Sequence, residues 1–551
     1  MKFYAKALIL TVLSAIVALN TLIAQNTTEQ YNNHLVECFT IQEFKSLKPS
    51  KQSIYYQKYY SNITPLAKKV TLKSNSKEIP YILGEMNYDT YDGVNKKIIG
   101  FKPTNAWDRS IFLGWNYLNY YISGTNSNDL KHFISPPSPI EINIGHKNGV
   151  KVLGTIDFYW TYSTEIPNTE TVFNNLKEFC ETPSITASKI YKLTKLYGFD
   201  GWLVNNESQS SKAQQYEVTL LEILDTLKKD GLEIIYYNDD SKVNKKSIDY
   251  LKNSNGLFVD YGWDSEVVSS GISQVVNERM DPETLYWGIN WWTNTHRFFL
   301  LNNILTTEVD KKRSSVALYA CEFPVTGPQK GVKPQTAKSS TDLFVGMWFN
   351  NGNTPNLSNN TLNAVGNYAT PKTAITSLPF KTNFNIGKGS STFKKGKEIL
   401  PAAAWGKLKH QDILPYYMYN KNDCLVTFDL TTAWKGGSSL KIENNSNDSQ
   451  IIPIYLTKID LSKNDSFIGM AKLKVVFSSA SKKQNFSLML DTIKGQQIDF
   501  DLSKNRIIEN GYRKSKHIIQ GQYTITGISI RVPANSEINL GEIALLVPDK
   551  I

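Results

Sequence analysis

Eight extended apolar segments, separated by helix-like sequence, are the feature that most limits how this chain can fold. They lie at residues 81–86, 117–122, 152–157, 201–206, 233–238, 256–261, 285–290 and 316–321. One connector is well marked, since 213–229 places Val218, Leu221, Leu224 and Leu227 at helical spacing. Regular alternation of strands and helices predicts an α/β fold, a (β/α)8 TIM barrel.

The texture of the sequence changes after the barrel segments. Short alternating segments separated by Asn, Ser, Lys and Gly recur at 424–430, 439–443, 451–458, 471–477, 486–490, 523–532 and 538–546. This pattern is typical of a β-sandwich. We therefore predict four parts: a signal peptide at 1–24, an N-terminal lead segment at 25–77, a barrel at 78–380 and a C-terminal β-sandwich domain at 381–551.

The N-terminus has the features of a secretory signal. Lys2 and Lys6 precede an apolar run that ends near Ile23, and Ala24 is followed by polar sequence. No basic flank follows the run, so we expect cleavage after Ala24 and no stable membrane insertion afterwards. The chain is accordingly expected to be exported, either secreted or placed in the periplasm or cell envelope.

Composition favours carbohydrate over nucleic acid as the partner. Aromatic residues make up 12% of the 551 residues, with 30 Tyr and 11 Trp, and such rings stack on sugar faces. The net charge of +11 is spread over the chain without strong clustering, so nucleic-acid binding is not expected. The large β-rich part accounts for many of the tyrosines equally well.

The four cysteines, Cys38, Cys180, Cys321 and Cys424, are far apart and lack metal-ligand spacing. Disulfides and buried thiols both remain open for them. We expect no metal and no organic cofactor, because no cluster of His, Cys and carboxylate residues stands at ligand spacing. A monomer is the expected state.

The fourth apolar segment ends abruptly in two amides and a carboxylate. Because side chains alternate along a strand, Leu203, Asn205 and Glu207 share one face. A carboxylate and a carboxamide on that face are suited to pair a proton donor with an orienting dipole. From this stretch alone, a capping cluster before the next helix is an equally open interpretation.

Other predicted strands also end in polar and aromatic residues. The chemistry of such barrels lies at these ends, so we predict a sugar-binding mouth there. For each aromatic residue, packing between a loop and the barrel rim is the alternative. The predicted substrate-binding residues are Trp160, Asp157, Asp239, Trp263, Asp260, Trp291 and Trp292.

Several motifs occur in one order along residues 45–443: HKNGVKVLGT at 146–155, GFDGW at 198–202, NNE at 205–207, PF at 379–380, TNFN at 382–385, GKG at 387–389, QDILP at 411–415, and Ala433 followed by GGSSL at 436–440. Together they resemble glycoside hydrolase family 85, the endo-β-N-acetylglucosaminidases. The resemblance implies N-glycans and glycoproteins as substrates, with cleavage between the two core N-acetylglucosamines.

The matching positions imply specific roles. Glu207 corresponds to the general acid/base, and Asn205 to the residue that orients the substrate's 2-acetamido group. Tyr237 matches a tyrosine expected to hydrogen-bond the acetamide oxygen. Such enzymes retain configuration without a protein nucleophile, because the acetamide oxygen attacks the anomeric carbon to give an oxazoline. Transglycosylation from that intermediate is a further expectation.

Departures from the family pattern concern glycan preference. Glu85 stands in a segment that lacks the expected His-Asp pair, and Asp239 and Asp260 replace Ser and Asn of the expected Tyr-Asp-Ser and Asn-Tyr-x-Trp patterns. Two alternatives remain: a catalytically silent glycan-binding protein, and an endo-hydrolase of chitin-like or peptidoglycan-like polymers. If Glu207 is not the acid, Asp157 or Asp239 is next in line.

Overall fold

A computed structural model describes much of the chain in atomic detail. The described residues are 38–48, 60–72, 78–86, 111–124, 132–158, 169–207, 213–291, 301, 304, 307, 309, 312–321, 336–349, 364–400, 405–406, 408–416, 418, 420–421, 423–463, 469–479 and 485–548. The predicted signal peptide and most of the lead segment lie outside them.

Eight parallel strands form a closed barrel, as the sequence predicts. β1 pairs with β2 and β8, and every other strand pairs with both of its neighbours, so that the sheet has no free edge. Strands β1 to β8 are Ile82–Glu85, Tyr120–Ile122, Lys151–Phe158, Gly201–Asn206, Glu233–Asn238, Gly256–Val259, Leu285–Asn290 and Ser315–Tyr319. A short strand, Ile134–Ser135, runs antiparallel to β3.

Helices surround the barrel within the described part of the chain. Helices α1 to α8 are Ile41–Ser46, Pro139–Lys147, Thr169–Cys180, Pro183–Tyr197, Gln214–Lys229, Lys245–Lys252, Ser265–Asn277 and Ala337–Trp348. The predicted helix at 213–229 is α5, but its buried stripe is Leu220, Ile223, Leu224 and Leu227. Val218 is 68% exposed, because repeated steps of three residues drift away from a period of 3.6.

The C-terminal part contains two large antiparallel sheets, which confirms the predicted β-sandwich. In spatial order the larger sheet consists of Asn420–Lys421, Cys424–Asp429, Ser439–Asn444, Ser536–Leu546, Met470–Ser478, Arg513–Gln520 and Arg506–Ile507, with Phe380–Thr382 also paired to Ser536–Leu546. The smaller sheet consists of Gln450–Asp460, Thr524–Val532, Ser487–Thr492 and Gln497–Asp501. Five short strands, Lys388–Gly389, Thr392–Lys394, Lys397–Leu400, Trp405–Gly406 and Lys435–Gly436, form two small sheets.

Two hydrophobic cores position the site. The inner core fills the barrel with one apolar side chain from each strand: Leu83, Ile122, Leu153, Leu203, Ile235, Phe258, Tyr286 and Ala317. The outer core is continuous from the barrel helices into the sandwich. The inner core forms a solid floor, so that residues further along each strand face an open end of the barrel.

Candidate active site

The residues singled out at the strand ends lie at one level of the barrel. The pairing register sets Asp157 of β3 beside Asn205 of β4, and Asn205 beside Tyr237 of β5. Each lies two residues beyond an inward-facing position. For Asn205 that position is the inner-core residue Leu203, and for Tyr237 it is Ile235. Alternation along the strands therefore directs all three side chains inward, above the apolar floor.

The amide group of Asn205 is held by two carboxylates. Its Nδ2 atom donates to Oδ1 of Asp157 over 3.0 Å and to Oε1 of Glu207 over 3.1 Å. Carboxylates of this kind accept hydrogen bonds, and the amide nitrogen has two hydrogens to give. Turning the amide over would direct its oxygen at both carboxylates, so these contacts fix its orientation.

The oxygen of the same amide is buried and receives no hydrogen bond from the described residues. A buried acceptor left in that state costs about 1–3 kcal/mol. Buried polar groups normally have a partner, and exceptions are common at functional sites. Oδ1 of Asn205 is thus an acceptor available to an N–H donor of a ligand.

Glu207 continues the line of β4 past its last ladder residue. Its backbone N–H donates to the carbonyl oxygen of Phe158 over 3.1 Å, which extends the β3–β4 ladder by one step. The extended backbone directs the Glu207 side chain to the same face as Asn205, where the two are in contact. Its side chain is half-buried, as a proton donor that meets a ligand needs to be.

Tyr237 is anchored next to this pair. Its hydroxyl group donates to Oδ1 of Asp260 over 2.8 Å, and its ring meets the ring of Phe258 edge-on at 5.1 Å between centroids. Burial, followed by the negative charges of Asp260 and Glu207, raises the pKa of Tyr237 above its ordinary value. The phenol therefore remains protonated and acts as a hydrogen-bonding group.

Three further residues belong to this mouth and are absent from the predicted site. Tyr261 lies with ring centroids 6.3 Å from Tyr237 and 5.8 Å from Tyr319. The charge of Glu85 acts on both Tyr237 and Tyr261, after burial, to raise their pKa values. The parity of β8 points to Tyr319, which follows the inward-facing Ala317 by two residues.

Two of the predicted substrate-binding tryptophans are buried in the protein core, which corrects their assignment. Trp263 is 4% exposed and donates from Nε1 to the carbonyl oxygen of Gly288 over 2.7 Å. Trp291 is 1% exposed and packs against Trp348, with ring centroids 5.4 Å apart. Neither ring has a face open to a sugar, so for these two the packing alternative is the correct one.

The other predicted substrate-binding residues differ in their placement. Asp157 and Asp260 lie in the site. Asp157 accepts a hydrogen bond from Asn205, and Asp260 accepts one from Tyr237. Asp239 follows β5 and is exposed to solvent. Trp160 and Trp292 lie outside the described residues.

Part of the motif sequence at 146–155 and 198–202 has a structural role at the opposite end of the barrel. Asp200 accepts hydrogen bonds from Nε2 of His146 at 2.9 Å and from the backbone N–H of Val152 at 2.7 Å. This ties the end of α2 to the beginnings of β3 and β4. At Gly201 an added Cβ would lie 1.8 Å from the carbonyl oxygen of Glu233, so that only glycine fits.

The QDILP motif joins the barrel to the C-terminal part. Gln411 donates to the carbonyl oxygens of Phe112 at 2.8 Å and Ile386 at 3.1 Å, and it accepts from Nε1 of Trp115 at 2.8 Å. All three hydrogen bonds connect buried groups. The side chain of Gln411 therefore bonds to the barrel part through Phe112 and Trp115 and to the C-terminal part through Ile386. These residues shape the scaffold and do not contact the Asn205 site.

The described part of the chain contains no group of three or more His, Cys, Asp or Glu residues placed to hold a metal ion. Three of the cysteines, Cys180, Cys321 and Cys424, are buried thiols. Among the described helices, none is sufficiently long and apolar to cross a membrane.

Comparison with known proteins assigns the family. The profile described as Glycosyl hydrolase family 85 matches residues 96–392, more than half of the chain. The chain belongs to glycosyl hydrolase family 85. The matched range covers β2 to β8 of the barrel, with Asn205, Glu207 and Tyr237 inside it.

Curated relatives of this family 85 chain carry one name. Cytosolic endo-beta-N-acetylglucosaminidase of Gallus gallus is 22% identical over 352 residues, 60% of this chain and 43% of the relative. The Homo sapiens protein of that name is 22% identical over 371 residues, 60% and 42% of the two chains. Cytosolic endo-beta-N-acetylglucosaminidase 1 of Arabidopsis thaliana is 22% identical over 407 residues, 68% and 52%. The chain thus spans about half the length of the curated relatives it matches.

These relatives contradict one expectation from the sequence. Export, to the medium or to the periplasm or envelope, was predicted from the N-terminal apolar run. The curated relatives in chicken, human and Arabidopsis are cytosolic proteins, so the prediction of an exported family 85 protein was wrong by this comparison. The run itself, including Ala24, lies outside the described residues.

A solved structure supports the fold. The glycoside hydrolase domain of Endo-D from Streptococcus pneumoniae R6 superposes with a TM-score of 0.70, covering 93% of this chain and 83% of that one. The two are 16% identical, so the likeness concerns architecture. Because the superposition covers 93% of this chain, it supports both the barrel and the antiparallel sheets that follow it.

Proposed function

We propose that this chain is an endo-β-N-acetylglucosaminidase that hydrolyses the β-1,4 bond between the two core N-acetylglucosamines of N-linked glycans. Family membership and the name of the relatives support the reaction class. The observation that carries the mechanism is the amide of Asn205, with its nitrogen held by two carboxylates and its buried oxygen left as an acceptor. An acetamide N–H is the group that this acceptor suits.

The first half of the reaction divides its tasks among three side chains. Glu207 gives its proton to the glycosidic oxygen as that bond breaks, while the acetamide oxygen attacks the anomeric carbon. Positive charge then develops along the acetamide, and Oδ1 of Asn205 accepts its N–H. Tyr237 holds the acetamide from the other side. The acetamide keeps its N–H, so this step gives a sugar oxazolinium ion and releases the N-acetylglucosamine that remains on the peptide.

The second half uses the same groups in reverse. The ionised Glu207 removes a proton from a water molecule, which attacks the anomeric carbon on the face that the leaving group vacated. The carbon–oxygen bond to the acetamide breaks and the free amide is restored. Two successive inversions leave the configuration at that carbon unchanged. An alcohol of another sugar in place of water gives transglycosylation.

The test is product analysis by mass spectrometry on a panel of defined N-glycopeptides. The proposal expects one N-acetylglucosamine to remain on the peptide and the rest of the glycan to be released with a free reducing end. Chitin oligosaccharides form the second arm. Cleavage of chitin without cleavage of any glycopeptide supports the polymer hydrolase instead, and binding without cleavage supports the silent glycan-binding protein.

A further inference from the structure

We propose that Asp157 is a positioning residue, which fixes and polarises the amide of Asn205 for the acetamide N–H of the substrate. The sequence suggests only a substrate contact for Asp157, or a reserve acid. This inference rests on the proposed function and adds a role in the bond-forming step. Its basis is the hydrogen bond of 3.0 Å from Nδ2 of Asn205 to Oδ1 of Asp157, between neighbouring strands at one register position.

Asp157 is needed for orientation because Glu207 cannot hold the amide through the whole reaction. Glu207 is protonated before glycosidic cleavage and ionised after it, so its attraction for Nδ2 changes within each turnover. Asp157 gives up no proton in the proposed mechanism, and its hold on the second N–H is constant. Without Asp157, the side-chain amide of Asn205 has two broad torsional minima, which differ only in the hydrogen bond to Glu207.

Asp157 also changes the charge distribution of the amide. A carboxylate that accepts from an amide N–H strengthens the negative end of the same amide dipole, and this effect is larger in a partly buried site. The negative end is Oδ1 of Asn205, which faces the acetamide N–H. That N–H becomes more positive only as the oxazoline forms, so the gain appears in the transition state and in kcat, with little change in KM.

The burial of the amide oxygen agrees with this role. Oδ1 of Asn205 is shielded from solvent and has no hydrogen-bond donor among the described residues. Nδ2 of the same amide, in contrast, donates two hydrogen bonds. The hydrogen-bonding capacity that the amide has left therefore lies on its oxygen. A ligand that brings an N–H to Oδ1 gives this buried acceptor a donor at one of its two lone pairs.

Two substitutions separate orientation from charge. Asp157→Asn keeps an acceptor oxygen but removes the charge, whereas Asp157→Ala removes both. For glycopeptide hydrolysis we expect kcat to fall about 10- to 100-fold in Asp157→Asn and further in Asp157→Ala, on the scale of one hydrogen bond to a charged group. KM should change little. Glu222→Gln, which removes an exposed carboxylate from the outer helix α5, is the matched control and should retain wild-type kinetics.

Glycan transfer from a preformed sugar oxazoline distinguishes a positioning role of Asp157 from a structural one. Transfer from the oxazoline to an N-acetylglucosamine-bearing acceptor bypasses the step that Asp157 assists, so both variants should keep transfer within a few-fold of wild type. Parallel loss of hydrolysis and transfer, together with a lowered thermal midpoint, would overturn the inference in favour of a structural role. Unchanged kcat in both variants, with active wild type, overturns it as well. A wild-type protein that cleaves no glycopeptide overturns the proposed function and this inference with it.

Discussion

The hydroxyl group of Tyr237 donates a hydrogen bond of 2.8 Å to Oδ1 of Asp260, the residue that directly follows β6. A phenol has one hydrogen to give, so this bond competes with any donation to a substrate. Tyr237 therefore binds the acetamide oxygen only by releasing Asp260. In the present arrangement the hydrogen bond to Asp260 fixes the phenol of Tyr237 at the edge of the site.

Tyr237→Phe tests this exchange. Loss of one hydrogen bond to a group that gains charge is expected to lower kcat/KM about 10- to 100-fold. Asp260→Ala frees the hydroxyl group and should cost less than Tyr237→Phe in steady-state hydrolysis. Tyr250→Phe is the control, because that hydroxyl bonds Glu217 outside the barrel at 3.2 Å. A larger loss in Asp260→Ala than in Tyr237→Phe would mean that Asp260 acts on the substrate itself.

Glu207→Gln is expected to abolish hydrolysis and leave the fold intact. The substitution preserves shape and the contact to Asn205, but an amide delivers no proton to the leaving oxygen, which costs about 10²–10⁴-fold in rate. Hydrolysis of a defined glycopeptide and calorimetric binding of the same glycopeptide measure the two effects separately. Turnover close to that of wild type would transfer the acid role to Asp157 or Asp239.

Asn205→Ala is expected to separate formation of the oxazoline from its use. Hydrolysis of glycopeptide should fall sharply, whereas transfer from a supplied oxazoline should persist and its product should accumulate, because hydrolysing that product requires the blocked step. Asn206→Ala is the control, since alternation places this amide on the opposite face of β4. An Asn205→Ala protein that is folded yet fails to use the oxazoline contradicts the role given to Asn205.

The barrel follows from the sequence because its eight strands have one physical cause. Each strand is buried on two faces, so it appears as a short apolar run between turn and helix signals, and the eight runs are sufficient to identify it. The Asn205 and Glu207 pair was also predictable, since residues two apart on a strand share a face. The contact of Asn205 with Asp157 depends on the register between β3 and β4, which no single segment contains.

The errors in the predicted site also have a physical cause. Position near a strand end does not by itself place Trp291 in the site, because β7 directs Tyr286 and Asn290 to one side and hence Trp291 to the other. The packing of Trp263 against Gly288 depends on a loop path that the sequence does not specify. Parity along each strand would have favoured Tyr319 over Trp291.

The pH dependence of stability gives a last prediction, from the buried pair His146 and Asp200. Nδ1 of His146 lies 2.6 Å from the carbonyl oxygen of Thr64 and Nε2 lies 2.9 Å from Oδ2 of Asp200, so both partners are acceptors. Both nitrogens must then carry hydrogen, which makes the ring an imidazolium. Burial lowers the pKa of His146, but the hydrogen bond and charge of Asp200 outweigh it and the net pKa is raised.

A raised pKa in the folded state means that this pair stabilises the fold below the unfolded pKa of about 6.5, and that the contribution is lost as pH rises through the folded value. The thermal midpoint of wild type should therefore exceed that of His146→Gln most at acidic pH, and the gap should narrow toward alkaline pH. His517 is the opposite case, since burial lowers its pKa and its contribution is present above pH 6.5. The gap between wild type and His517→Gln should narrow as pH falls, so two gaps that change in parallel between about pH 5 and 8.5 would contradict the charged state assigned to His146.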